Sequence, residues 1–309
     1  MQYKLNIAFV AALLVLASMR ISAQQDPMFS QYMFNTLSIN PAYAGSADRL
    51  SMVGIHRSQW VKFDGAPITQ TVTAHAPLVF ENIGIGGTII NDQHGPVKQT
   101  AVFADISYRI FFDNSKLAFG LKGGMNLYSA NLLDLNPLVA DDQAFQANIS
   151  TKLLPNFGFG VMWYSKRGFI GASTPRLLQN RLLEGDLPNF TGNKERIHGF
   201  LMAGYVWDIS NYVKFKPTIL LKAVSGAPPG FDVTANFLMY DKVWFGGMYR
   251  WNDAVGVLIQ YEVNNKLKFG YAYDYIISDI GRYTSGSHEI MIGYDLVRPG
   301  RGDISPRYF

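Results

Sequence analysis

The sequence predicts an all-β chain: a transmembrane antiparallel β-barrel of about fourteen strands, within roughly 12 to 16, preceded by a short N-terminal segment. Three observations predict it. The chain opens on an export leader with no second apolar span behind it. Apolar residues then alternate with small or polar ones along most of its length. Finally, only 16% of residues are charged, against the roughly 25% usual for a soluble protein.

The leader comes first. Lys4 gives a positive start, Ile7 to Ala17 form an apolar run too short to span a bilayer, and Ile21-Ser22-Ala23 form a small-residue exit. Residues 1–23 therefore read as a signal peptide cleaved after Ala23. Its removal takes Lys4 and Arg20 from the 27 basic residues, leaving a net charge of +2 against 23 acidic ones. The nominally basic chain thus offers no argument for a nucleic-acid partner.

Residues 24–49 follow as a periplasmic N-terminal segment. Phe29, Met33 and Phe34 fall on one side of a short helix that Asn40-Pro41 stops, with a glycine turn at Gly45. Two readings stay open: a periplasmic plug or docking element, and a brace closing the barrel's lower mouth.

The barrel occupies 50–296. Period-two segments such as Leu117 to Leu127, Asn156 to Tyr164 and Leu267 to Asp274 each have one greasy face. Strands are expected near 50–59, 66–76, 82–90, 97–109, 116–127, 156–165, 167–173, 197–208, 213–223, 232–240, 242–250, 254–262, 266–275 and 287–296. Their lengths suit tilted membrane strands rather than the short strands of a soluble sheet. The longest connections, 128–155 and 174–196, fall on one rim and the shortest turns on the other. Outer-membrane barrels have this asymmetry, with short turns in the periplasm. It places the protein in the outer membrane with both termini, including the tail 297–309, in the periplasm. Glycines at Gly84, Gly86, Gly120, Gly124, Gly158, Gly160, Gly246, Gly270 and Gly293 leave room inside, and Lys122, Arg250, Lys268, Asp274 and Asp295 are the candidate lumen-facing charges. A secreted soluble sandwich shares the alternation and remains the competing fold.

Nothing points to catalysis. With no cysteine there is no thiol nucleophile, disulfide or thiolate metal site. The five histidines are scattered, and in Ser287-His288-Glu289 neighbouring strand residues point to opposite faces, which breaks a triad. No phosphate loop or calcium-loop pattern occurs, so no cofactor is expected.

The run QDPMFSQYMFNTLSINPAYAGS at 25–46 resembles the opening of the PorP/SprF family of the Bacteroidota. Further similarity follows in HRSQWVKFDGAPITQTVTAHAP at 56–77, GLKGGMNLY at 120–128, NFGFG at 156–160, GAPPGFDVTANF at 226–237, WFGGMYR at 244–250, FGYAYDYIISDI at 269–280, GSHEIMIGYDL at 286–296 and SPRYF at 305–309. The resemblance implies an outer-membrane barrel serving type IX secretion. It also implies partners: a secreted or surface-anchored protein with a C-terminal sorting domain, such as an adhesin, and a periplasmic lipoprotein or ring components of the secretion or gliding machinery. Outer-membrane lipid surrounds it. The resemblance singles out Phe29, Tyr32, Phe34, Asn40, Pro41 and Tyr43 as candidate periplasmic partner contacts, and leaves partner choice to the two long loops. The competing function is a channel for a small solute.

Overall fold

The computed structural model describes residues 27–47, 49–78, 80–134, 148–181, 194–264 and 266–296. The expected leader and C-terminal tail lie outside them, as do the middles of the two longest loops. Fifteen strands form one sheet. They are β1 (Leu50–Ser58), β2 (Ile68–Pro77), β3 (Ile83–His94), β4 (Val97–Phe111), β5 (Ser115–Ala130), β6 (Ile149–Ser165), β7 (Gly168–Thr174) and β8 (His198–Tyr205). The rest are β9 (Trp207–Asp208), β10 (Val213–Val224), β11 (Gly230–Met239), β12 (Val243–Arg250), β13 (Ala254–Glu262), β14 (Leu267–Ile276) and β15 (Ser287–Leu296).

β8 and β9 are one stave interrupted at Val206, since both pair with β10, so the wall has fourteen staves. Every neighbour is antiparallel. β1 pairs with β15 and β10 with β11, which closes the ring and leaves no full-length edge to aggregate.

The side chains are arranged inside out. On β2, Thr69, Thr71, Thr73 and His75 are buried while Ile68 and Val72 are exposed; on β13, Val255, Val257 and Ile259 stand outward. Leu121, at 63% exposure, sits next to Lys122 at 3%. A soluble sandwich would bury the apolar members of each pair, so this polarity decides for a wall facing lipid. Exposed aromatic side chains gather near both strand ends. Tyr249, Trp251 and Tyr275 lie by the long-loop rim, and Tyr205, Trp207, Tyr212 and Tyr240 by the short-turn rim, as interfacial girdles do.

The strands match their expected positions to within a few residues, except that β6 begins at Ile149 rather than 156. The strand runs through Pro155. A proline interrupts a strand paired on both sides, but β7 pairs with β6 only from Phe159 onward, so Pro155 lies on an unpaired edge where its missing N–H costs nothing. β6 therefore runs past the end of β7 on the long-loop side, while β4 keeps pace with β5 as far as Val97 and Ala130.

The N-terminal segment expected at the periplasmic mouth extends through the lumen. It forms three single-turn 3-10 helices, η1 (Tyr32–Phe34), η2 (Thr36–Ser38) and η3 (Pro41–Tyr43). Asn40 caps η3: its Oδ1 accepts the Ala42 N–H at 2.9 Å, and Pro41 takes the first helical position. Phe29, Met33, Leu37, Ile39 and Ala42 are buried against the wall.

Candidate functional site

The candidate site is the lumen filled by residues 27–46. At the long-loop end, the Glu289 carboxylate accepts the backbone N–H of Ser30 at 2.8 Å and that of Gln31 at 2.9 Å. The Ser30 hydroxyl donates to Asp274 at 2.6 Å, and Arg57 bridges Asp274 at 2.8 Å and Glu289 at 3.1 Å. All four side chains are buried. A charge in such a place is stable only when fully partnered, and here the plug backbone supplies part of the partnering. Arg57 and Glu289 lie opposite each other in the β1–β15 register.

At the short-turn end the contacts are chiefly to backbone. Arg109 donates to the Gly45 carbonyl and, from Nε and Nη2, to the Glu81 carbonyl at 3.0 and 2.6 Å. The Ser107 hydroxyl donates to the Ala44 carbonyl at 2.6 Å, and His75 Nδ1 accepts the Gly45 N–H at 3.1 Å. In between, Asn40 Nδ2 donates to the Val161 carbonyl at 3.1 Å and the Asn35 side chain accepts from Thr73 at 2.7 Å. From Pro27 to Gly45 the chain thus runs from the long-loop half to the short-turn rim, where β1 begins.

The wall makes space for this path with glycines. A Cβ at Gly84 would collide with the Ala44 carbonyl, one at Gly120 with the Pro41–Ala42 peptide, and one at Gly160 with the Asn40 side chain. Those three positions, on β3, β5 and β6, form the track on which η3 rests.

Of the six residues singled out in the N-terminal segment, Phe29, Tyr32, Asn40 and Pro41 are buried in the lumen, and Phe34 and Tyr43 are half-buried. Phe34 meets Trp244 edge-on with ring centroids 5.8 Å apart, and Tyr43 meets His75 at 5.1 Å.

The five charged residues lie on the buried faces of their strands or at their inner edge. Lys122 pairs with Asp105 at 2.8 Å, and Lys268 with Asp295 at 2.8 Å. Arg250 approaches Asp232 at 3.3 Å and Asp274 at 3.8 Å. Arg57, Arg109, Asp232, Lys216 and Glu289 were not singled out from the sequence. The signal was there for Glu289, which shares its strand parity with Asp295. Ser287 and Glu289 point inward, whereas His288 bonds the outward Tyr271 hydroxyl at 2.7 Å. Among the described residues no group of three or more His, Asp or Glu is placed to hold a metal ion.

Residues 21–294 match the family described as type IX secretion system membrane protein PorP/SprF. The chain belongs to the PorP/SprF family. Its place is the outer membrane, as a barrel of the type IX secretion system.

Solved structures similar to this PorP/SprF barrel include the outer membrane protein Omp33 of Acinetobacter baumannii. Its TM-score is 0.49 at 6% identity, over 81% of this chain and 100% of that one. The CymD monoaromatic hydrocarbon channel has a TM-score of 0.48 at 9% identity, over 88% and 94%. A FadL homologue of Pseudomonas aeruginosa has 0.46 at 11%, over 87% and 95%. Comparison with curated proteins gives no match.

Proposed function

We propose that this PorP/SprF barrel takes part in exporting, or anchors at the cell surface, a protein bearing a C-terminal sorting domain, and links it to periplasmic secretion or gliding components. The observation that carries the reading is the filled lumen: a backbone segment held by buried charges occupies the path a solute would need. Binding at the rims, rather than conduction, suits such a barrel.

In this reading the short-turn rim faces the periplasm together with the tail 297–309, and the long-loop rim faces the exterior. The loops 131–148 and 175–197 receive the exported partner. Phe29, Tyr32, Phe34, Asn40, Pro41 and Tyr43 would meet a periplasmic partner once the segment leaves the lumen.

Mild detergent extraction of the native complex followed by mass spectrometry tests this. A surface protein with a sorting domain and a periplasmic lipoprotein should co-purify, and shortening the 175–197 loop should lose the first while keeping the second. Recovery of the barrel alone would refute the reading. Steady conductance of the intact barrel in planar bilayers would favour the solute channel instead.

A further inference from the structure

A cavity opens at the short-turn rim, between the plug and the wall, and its charges are unevenly matched. Asp295 is engaged by both Arg49 at 3.1 Å and Lys268 at 2.8 Å, and Glu262, the other carboxylate of the lining, also has a partner. Lys216 has none. It is 1% exposed, its Nζ finds no hydrogen-bond acceptor, and it lies 5.2 Å from the ring centroids of both Phe34 and Trp244. All three of these residues line the cavity. Aromatic faces attract an ammonium but accept none of its protons in a full hydrogen bond, so the group lacks an anion.

Gln260 supplies an independent sign. Its side-chain carbonyl is buried in the same lining with no donor. A lysine without an anion and an acceptor without a donor in one lining suit a ligand that carries both a negative charge and an N–H.

We propose that this cavity binds a carboxylate on a polypeptide segment of a partner protein, entering from the short-turn mouth. Lys216 takes the carboxylate, Gln260 accepts the adjacent amide N–H, and Phe34 and Trp244 pack the neighbouring apolar side chain. A phosphate suits the lining less well, because it brings about two charges to a single surplus cation. The site does not depend on which protein the barrel exports, so its failure would leave the proposed function standing.

The test uses the full chain in detergent micelles, with N-acetylphenylalanine and its neutral amide as probes in titration calorimetry. The acid should bind about tenfold more tightly than the amide, a difference of one charge-assisted contact. Lys216→Met should bring the two within about twofold of each other, whereas Lys216→Arg should keep the preference. Heat-modifiable gel migration reports whether each variant is folded. If Lys216→Met does not fold, Gln260→Leu should still weaken the acid several-fold. Equal affinity for acid and amide, absence of saturable binding, or a preference unchanged in folded Lys216→Met would each overturn the proposal. Inorganic phosphate displacing the acid at equal concentration would overturn it too, by reassigning the site to a free anion.

Discussion

Glu289 shows how much one side chain can decide here. It answers two plug N–H groups and one guanidinium while fully buried. Glu289→Ala would orphan the two N–H groups and leave Arg57 with Asp274 and the Ser30 hydroxyl alone, and breaking a buried pair in this way costs about 3–5 kcal/mol. The loss should fall on the plug rather than the wall, because the β1–β15 ladder is carried by backbone bonds. Chymotrypsin should therefore cut the variant near Tyr32 and Phe34 at a rate well above that of the parent, while heat-modifiable migration persists. Uncut variant protein would mean that the latch is redundant. Gly120→Val probes the other end by steric means alone. Its side chain would strike the Pro41–Ala42 peptide, and overpacking of this kind costs about 1–3 kcal/mol. The same proteolysis should reveal a plug lifted from its track, with cleavage shifted toward Tyr43.

Among the elements, the strands were legible in the sequence and the plug's destination was not. Period-two alternation is a property of each strand by itself, so β11, β13 and β15 could be placed from their own residues. The start of β6 ahead of Pro155 was not legible, because whether a strand tolerates a proline depends on where β7 stops pairing, a fact of register between distant segments. The plug's place stays open in the sequence for a similar reason. Its residues show a short aromatic element ended by Asn40-Pro41, and the structure contains that element, but filling the lumen requires Ser30 to find Glu289 across 259 positions. Nothing in local pattern encodes such a meeting. The inward glycines were noticed as space; what fills the space is the plug backbone. Removing residues 27–46 tests the separation of the two elements. The fourteen staves keep their whole hydrogen-bonded ring, so the shortened chain should still insert into vesicles. It should conduct ions in planar bilayers where the intact chain is silent. Failure to insert would show that the plug is a folding core rather than a stopper, since the buried ion pairs of the wall would then lack a scaffold.

The whole molecule is a ring whose polar core is inside and whose apolar surface is outside, and this inversion accounts for its unusual charge content. Outward positions are closed to charge by lipid, while inward ones accept it chiefly in pairs such as Lys122 with Asp105, Lys216 being the exception. The low charge in the sequence was thus legible as a single fact with two possible causes, a lipid-facing wall or a soluble sandwich. Only the burial of one face over the other separates them. Leu121 and Lys122 test that separation at adjacent positions near the middle of β5. Leu121→Arg places a guanidinium against the acyl chains and should cost about 2–4 kcal/mol in the membrane-folded state. Lys122→Met instead removes a cation from the lumen and strands Asp105, whose burial then penalises it. Guanidinium titrations of folding into phosphatidylcholine vesicles measure both variants. The distinguishing observation is bilayer dependence. The Leu121→Arg deficit should shrink in thin, short-chain bilayers, where the arginine reaches the interface, while the Lys122→Met deficit should not change with lipid thickness, because Asp105 never meets lipid. Equal sensitivity of the two variants to lipid would contradict the assignment of opposite faces.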